Sequence, residues 1–158
     1  MATWVGIISD THGLMRPSAL LALAGAALII HAGDIGAPGI LDSLAGIAPL
    51  HAIRGNVDRQ GWARALPATR TVEVEGARIF VVHNLADLAF DPSARNYHAV
   101  ISGHSHRARH EVRGGVLYLN PGSAGPRRFR LPVTVARIEV EGASLRPKIL
   151  TLEAVVPY

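Results

Sequence analysis

The sequence predicts an α/β fold of two packed mixed β-sheets flanked by helices, a four-layer α-β-β-α sandwich. Three observations predict it. From Thr3 to Gly55 the chain alternates short β-branched runs with leucine-rich stretches of helical spacing, a β-α-β-α-β pattern. From Thr69 onward the pattern changes to strand pairs turning at glycine, the mark of hairpins. The early strands also end in polar turns, and open α/β sheets bind ligands outside the carboxyl ends of their strands.

Each element has its own justification. "TWVGIIS" is a strand of buried character ending in "DTHG". "RPSALLALAG" places Pro17 at a helix start, leucines at helical spacing and Gly25 at the end. "ALIIH" is a second strand, followed by "AGDIGAPG"; a helix through Ile40, Leu41, Leu44 and Ile47 leads to a third, "PLHAIRG", and the turn "NVD". "TRTVEVEGARIFVVH" reads as a hairpin around Glu75-Gly76, and "HAVISGHSH" as a strand with a polar end. Two further hairpins turn at Gly114-Gly115 and near Gly142. The apolar content, 49% of 158 residues, suits a single domain over residues 1–158. A domain of that size buries about 70% of its unfolded surface.

Composition excludes several classes of function. With no cysteine, disulfides, thiolate metal sites and cysteine nucleophiles are ruled out, and any metal must be held by His, Asp, Asn or Glu. Such ligands favour manganese, iron, nickel or zinc. The uncharged stretch from Pro17 to Gly33 is interrupted by Gly25 and closes on His31 and Asp34, so it is not expected to span a membrane. "MATWVGIISD" lacks the basic start of a signal peptide, and a cytoplasmic protein is expected. The formal charge is +4, and of sixteen basic residues only Lys148 is lysine. Arginines Arg127, Arg128 and Arg130 cluster around Phe129, which reads first as a solvated loop and second as an anion-binding rim. No aromatic-and-basic stripe accompanies them, so a nucleic-acid partner is not expected.

The chemistry lies in the turns. Asp10 and His12 sit two apart, as do His104 and His106, a spacing that in an extended segment sends both side chains to one side. Asp34 follows the second strand, Asn56 and Asp58 the third, and His83 the fourth. Alone, each is an ordinary turn residue, helix cap or core histidine. Together, Asp10, His12, Asp34, Asn56, His83, His104 and His106 exceed the needs of one tetrahedral ion, and two ions sharing a carboxylate would use them all. His51, His98 and His110 fall away from that edge, and His31 reads as packing behind it.

The blocks "DTHG", "GDIG", "GNVD", "VVHN" and "GHSH", in that order, resemble the calcineurin-like metallophosphoesterases. The chain length and "NPGSAGPRR" look most like the small bacterial and archaeal phosphodiesterase branch that also includes the retromer subunit. The resemblance implies one metal held by Asp10, His12, Asp34 and His106, a second by Asp34, Asn56, His83 and His104, and Asp34 as the bridge. It implies two divalent cofactors, manganese first and nickel, iron or zinc as alternatives, and catalytic roles for Asn56, Asp58 and His104. The activity implied is hydrolysis of a small phosphate ester, foremost a phosphodiester, by a hydroxide bridging the two metals, with Asn56 and Arg127 or Arg128 near the phosphoryl oxygens. A homo-oligomer is compatible with the pattern.

Two positions depart from the family. Val57 stands where many larger relatives carry a histidine that protonates the leaving oxygen, and valine has no proton to give. Asn84 and Leu85 follow His83 where relatives in this branch often have Gly and a further His. The rival reading is a non-catalytic scaffold of the same fold, used for protein-protein interaction as in the retromer subunit.

Overall fold

The computed structural model describes residues 3–128 and 130–152. Phe129, at the centre of the predicted arginine cluster, lies outside the described residues. Strand β1 (Thr3–Ile8) pairs in parallel with β2 (Leu28–His31), and β2 with β3 (Leu50–Ala52). Helices α1 (Pro17–Leu23) and α2 (Pro38–Ala45) make the crossovers, each with a proline at its first turn, where the missing N–H costs nothing. The hairpin β9 (Thr134–Glu141) and β10 (Ser144–Thr151) closes this sheet, β9 running antiparallel to β1, to give the order β10-β9-β1-β2-β3.

The second sheet has the order β4-β5-β6-β8-β7, from β4 (Thr69–Val74), β5 (Ala77–Val82), β6 (Ala99–Ile101), β7 (Arg109–Arg113) and β8 (Val116–Asn120). Here β5, β6 and β8 are parallel, while β4 and β7 form antiparallel edges. Both sheets are mixed, as predicted.

Strand alternation sorts side chains into three cores. Val5, Ile7 and Ile30 from the first sheet, with Ile53 just past β3, meet Ile79, Val81, Ile101 and Leu119 from the second between the sheets. On the outer face of the first sheet, Ile8 and Ile29 pack with Leu23 and Leu44 of the two helices. Each such buried side chain contributes about 1.5–3 kcal/mol. Gly6 lets α1 approach closely, since a Cβ there would lie 2.7 Å from Leu23 Cδ2. The outer layer on the second sheet is thin: Val82, Val100 and Val116 pack with Phe80, Leu85, Leu88 and Tyr118, under single 3₁₀ turns at Leu85–Asp87 and Ser93–Arg95. Among the described residues, no helix is long and apolar enough to cross a membrane.

Candidate metal centre

The carboxyl ends of β1, β2 and β3 meet those of β5 and β6 across the two sheets. Two hydrogen bonds cross the junction, His83 Nδ1 to the Ala32 carbonyl (2.7 Å) and the His104 N–H to Asp10 Oδ2 (3.1 Å), while the Gly103 N–H to the His83 carbonyl (2.9 Å) ties the ends of β5 and β6. Two groups of ligand-type side chains result, Asp10 with His12 and His106, and Asp34 with His83 and His104; within each, the potential donor atoms lie within 4.8 Å of one another. His104 and His106 thus fall into different groups. Asn56 lies beside the second: one end of its amide is 3.2 Å from both oxygens of Asp34 and 3.1 Å from His83 Nε2.

The extended geometry expected for the histidine and aspartate pairs is not what brings them together. Asp10, His12, Asp34, His104 and His106 all have positive φ, between 46° and 72°. Left-handed backbone costs a non-glycine residue about 1–3 kcal/mol and persists where the surroundings enforce it, most often at functional sites. The loops are equally constrained by glycine. A Cβ on Gly55 would strike the Asp34 carboxylate and amide, and one on Gly103 would strike the hydroxyl of Ser9 and the carboxylate of Asp10.

Each carboxylate has one oxygen held by a backbone N–H and the other turned toward imidazoles. Asp10 Oδ2 accepts from the Ser9 hydroxyl (2.8 Å) and the His104 N–H, while the buried Oδ1 has no hydrogen-bond partner. That oxygen faces Nε2 of His106, His12 and His83 at 3.5, 3.8 and 3.9 Å. Asp34 Oδ1 accepts from the Val57 N–H (3.1 Å), and Oδ2 faces His83 Nε2 at 3.2 Å and His12 Nε2 at 3.7 Å. Because His83 Nδ1 is engaged by a carbonyl, it carries a proton, which leaves Nε2 to donate to Asp34 when the ring is charged and to offer a lone pair to a metal when it is neutral. Lone pairs aimed at one point from several sides need a cation between them, and the unpartnered Asp10 Oδ1 and His12 Nε2 fit a metal for that reason.

Protonation follows the same logic. Burial raises the Asp10 carboxyl above its ordinary range, against the lowering by Ser9 and the nearby imidazoles. Burial works on Asp34 in the same direction, but the hydrogen bond and charge of His83, with the Val57 N–H, bring it down to about 2. For His83, burial opposes the charged form, yet Asp34 and the Ala32 carbonyl raise its pKa. His106 is lowered by burial first, and the positive charge of Arg128 adds to the lowering.

Several supporting residues carry no ligand signal in the sequence. Asp58 accepts the backbone N–H groups of Ile35 (3.0 Å), Gly36 (3.0 Å) and Gly55 (2.8 Å), tying the Asp34 turn to the Asn56 turn. Asn120 Nδ2 donates to the Gly103 carbonyl (2.9 Å), and the Ser123 hydroxyl to the Asp10 carbonyl (3.0 Å), so "NPGSAG" buttresses both histidine-bearing turns. His31 is fully buried; its Nδ1 accepts from the Gly33 N–H (3.1 Å) and its Nε2 meets the Thr11 hydroxyl (3.0 Å). Ser9 and Thr11 could have been suspected only from lying beside Asp10 in a buried turn.

A family model for the calcineurin-like phosphoesterase superfamily domain matches residues 4–143. The chain belongs to this superfamily. A probable metallophosphoesterase of Methanothermobacter thermautotrophicus is 32% identical over 164 residues, covering 96% of this chain and 94% of that protein. Among solved structures, an archaeal phosphodiesterase superposes with a TM-score of 0.77 at 23% identity, covering 94% of this chain and 100% of that one. Vps29 of Entamoeba histolytica in complex with zinc does so with a TM-score of 0.72 at 18% identity, covering 96% and 100%. Likeness at these identities shows the shared fold. In this calcineurin-like phosphoesterase, the two ligand groups lie on four of the five sequence blocks that carried the resemblance, and the fifth, "GNVD", supplies Asn56 beside them.

Proposed function

We propose that this phosphoesterase is a metal-dependent phosphodiesterase working with two divalent ions, manganese foremost and nickel, iron or zinc as alternatives. The observation that carries this reading is the pair of half-anchored carboxylates, each turning one oxygen toward imidazole nitrogens 3.2–3.9 Å away. Asp10, His12 and His106 would hold one ion, His83, His104 and Asn56 the other, and Asp34 would serve both. When bound, such ions supply Lewis acidity toward a phosphoryl oxygen and a water whose pKa falls to about 7. The protein's own contribution is positional. Asn56 and His104 are exposed beside the buried ligands and face an incoming phosphoryl group, and Arg128 adds positive charge that reaches His106. Asp58 acts through the turns it ties together and is a positioning group. Val57, 48% exposed, offers no proton, so the leaving oxygen must depart with its own charge or be protonated from solvent.

A non-catalytic scaffold is the second reading, favoured by Val57 and by the structural likeness to Vps29. Hydrolysis of bis-(p-nitrophenyl) phosphate with manganese, nickel, iron and zinc each supplied separates the two. The enzyme reading expects metal-dependent turnover falling steeply as leaving-group pKa rises, and about two metal equivalents by elemental analysis. Inertness toward this activated diester under all four metals would favour the scaffold.

A further inference from the structure

Two clefts open beside His104. One, of about 290 Å³, runs over the outer face of the second sheet, with Ser102, Tyr118 and Leu119 on its walls and Arg107 at its rim. The other, of about 370 Å³, lies on the Asn56 side and is lined by Arg54, Thr69, Val82 and Asp87. His104 and Asn84 line both. What separates them is the 3₁₀ turn Leu85–Asp87, the segment at which the sequence departs from its relatives. Asn84 Oδ1 caps that turn by accepting the Ala86 N–H at 3.1 Å, placing Leu85 in the first cleft and Asp87 in the second. The outer layer is thin here: among the described residues no α-helix packs on Val100, Val116 and Tyr118, and Tyr118 lines the first cleft.

We propose that the two clefts are the subsites for the two ester arms of a phosphodiester, divided by the Asn84–Asp87 segment, and that the arm beside Tyr118 is a flat ring such as an aryl group or nucleobase. This rests on the phosphodiesterase reading of the metal centre. A phosphoryl group at His104 has one cleft on each side, and each approaches the size of a small-ligand pocket. A monoester would leave one of them empty. The Tyr118 cleft combines a half-buried aromatic ring and Leu85 with polar edges, the mixture that orients a flat ring. Ser102, 6% exposed, lines this cleft, and its hydroxyl makes no hydrogen bond among the described residues, which leaves it for a ligand. Arg113 lies over the Tyr118 ring at 4.2 Å and holds it in place.

The test compares two diesters of equal charge that differ only in their arms. Diphenyl phosphate and dimethyl phosphate are titrated calorimetrically into manganese-supplemented protein, wild type and the variants Tyr118→Ala and Leu85→Ala, which perturb the same wall independently. Wild type is expected to prefer diphenyl phosphate, and each substitution to narrow that preference about three- to tenfold, the range of one aromatic contact, with dimethyl phosphate affinity unchanged. Equal wild-type affinities, no binding of either diester, or a preference that neither variant moves would overturn the arm assignment. So would a parallel loss of dimethyl phosphate, which would place Tyr118 in the support of the centre. Retained preference for diphenyl phosphate in a protein that hydrolyses no activated diester would uphold the clefts while removing the catalytic reading.

Discussion

His31 shows how strictly single residues are set behind the centre. Thr11 donates its hydroxyl proton to the Ile35 carbonyl (2.9 Å), so it must accept from His31 Nε2, and His31 Nδ1 must stay unprotonated to accept from Gly33. A second proton would set two N–H groups face to face in a buried site, and burial pushes this imidazole from 6.5 down to about 3. Between those values the unfolded chain takes up a proton that the native state refuses. The contribution is complete above pH 6.5 and is lost as pH falls toward 3, by about 1.4 kcal/mol per unit. Metal-free wild type should therefore lose urea resistance between pH 7 and 5 more steeply than His31→Gln; parallel slopes would refute this. At the ligands, Asp34→Asn removes a charge facing two imidazoles, whereas His51 lies on β3 outside both ligand groups. Hydrolysis should fall by at least about 100-fold in Asp34→Asn and within a factor of about 2 in His51→Asn. Val57→His should raise turnover of alkyl esters more than that of nitrophenyl esters, because an added acid helps most where the leaving group is poor. Equal gains would mean that the imidazole does not reach the leaving oxygen.

At the scale of elements, the strands are ordinary and the turns are not. Leu44→Ala on α2 empties a fully buried position against the first sheet and should cost about 2–5 kcal/mol in urea unfolding. Metal affinity should change little, because α2 carries none of the ligands. Gly103→Ala makes the opposite distinction. Its Cβ would press on Ser9 and Asp10, so metal stoichiometry should drop even where the fold survives. The contrast is measurable by pairing unfolding curves with elemental analysis on both variants. The strands, the hairpin turns at Glu75-Gly76 and Gly114-Gly115, and the proline opening α1 were legible in the sequence because each is encoded by neighbours a few residues apart. The left-handed backbone of Asp10, His12, Asp34, His104 and His106 was not, because aspartate and histidine adopt it only when surrounding turns require it.

For the whole molecule, the centre is a store of unfavourable contacts that a cation relieves. The unpartnered Asp10 Oδ1 and His12 Nε2 favour a metal-bound native state over the unfolded chain. A metal at 100 times its dissociation constant adds about 2.7 kcal/mol, which for a chain of this length raises Tm by about 5–10 °C. Differential scanning fluorimetry with manganese and zinc should show this shift, and Asp10→Asn should remove most of it.

The sequence by itself determined the family, the two-sheet architecture and the identity of the ligand-type residues, since motif order and strand periodicity are local and survive without contacts. It did not determine how the two sheets meet. That the His83 imidazole anchors to Ala32, that Asp10 receives the His104 N–H, and that Asn120 and Ser123 brace the turns are contacts between residues 17 to 113 positions apart. Nor did it reveal that the outer face of the second sheet lacks an α-helix among the described residues and bears a cleft beside His104. Side-chain type is written along the chain, but a lone pair's direction is fixed only when separate turns pack against one another, and at this centre that direction decides what can bind.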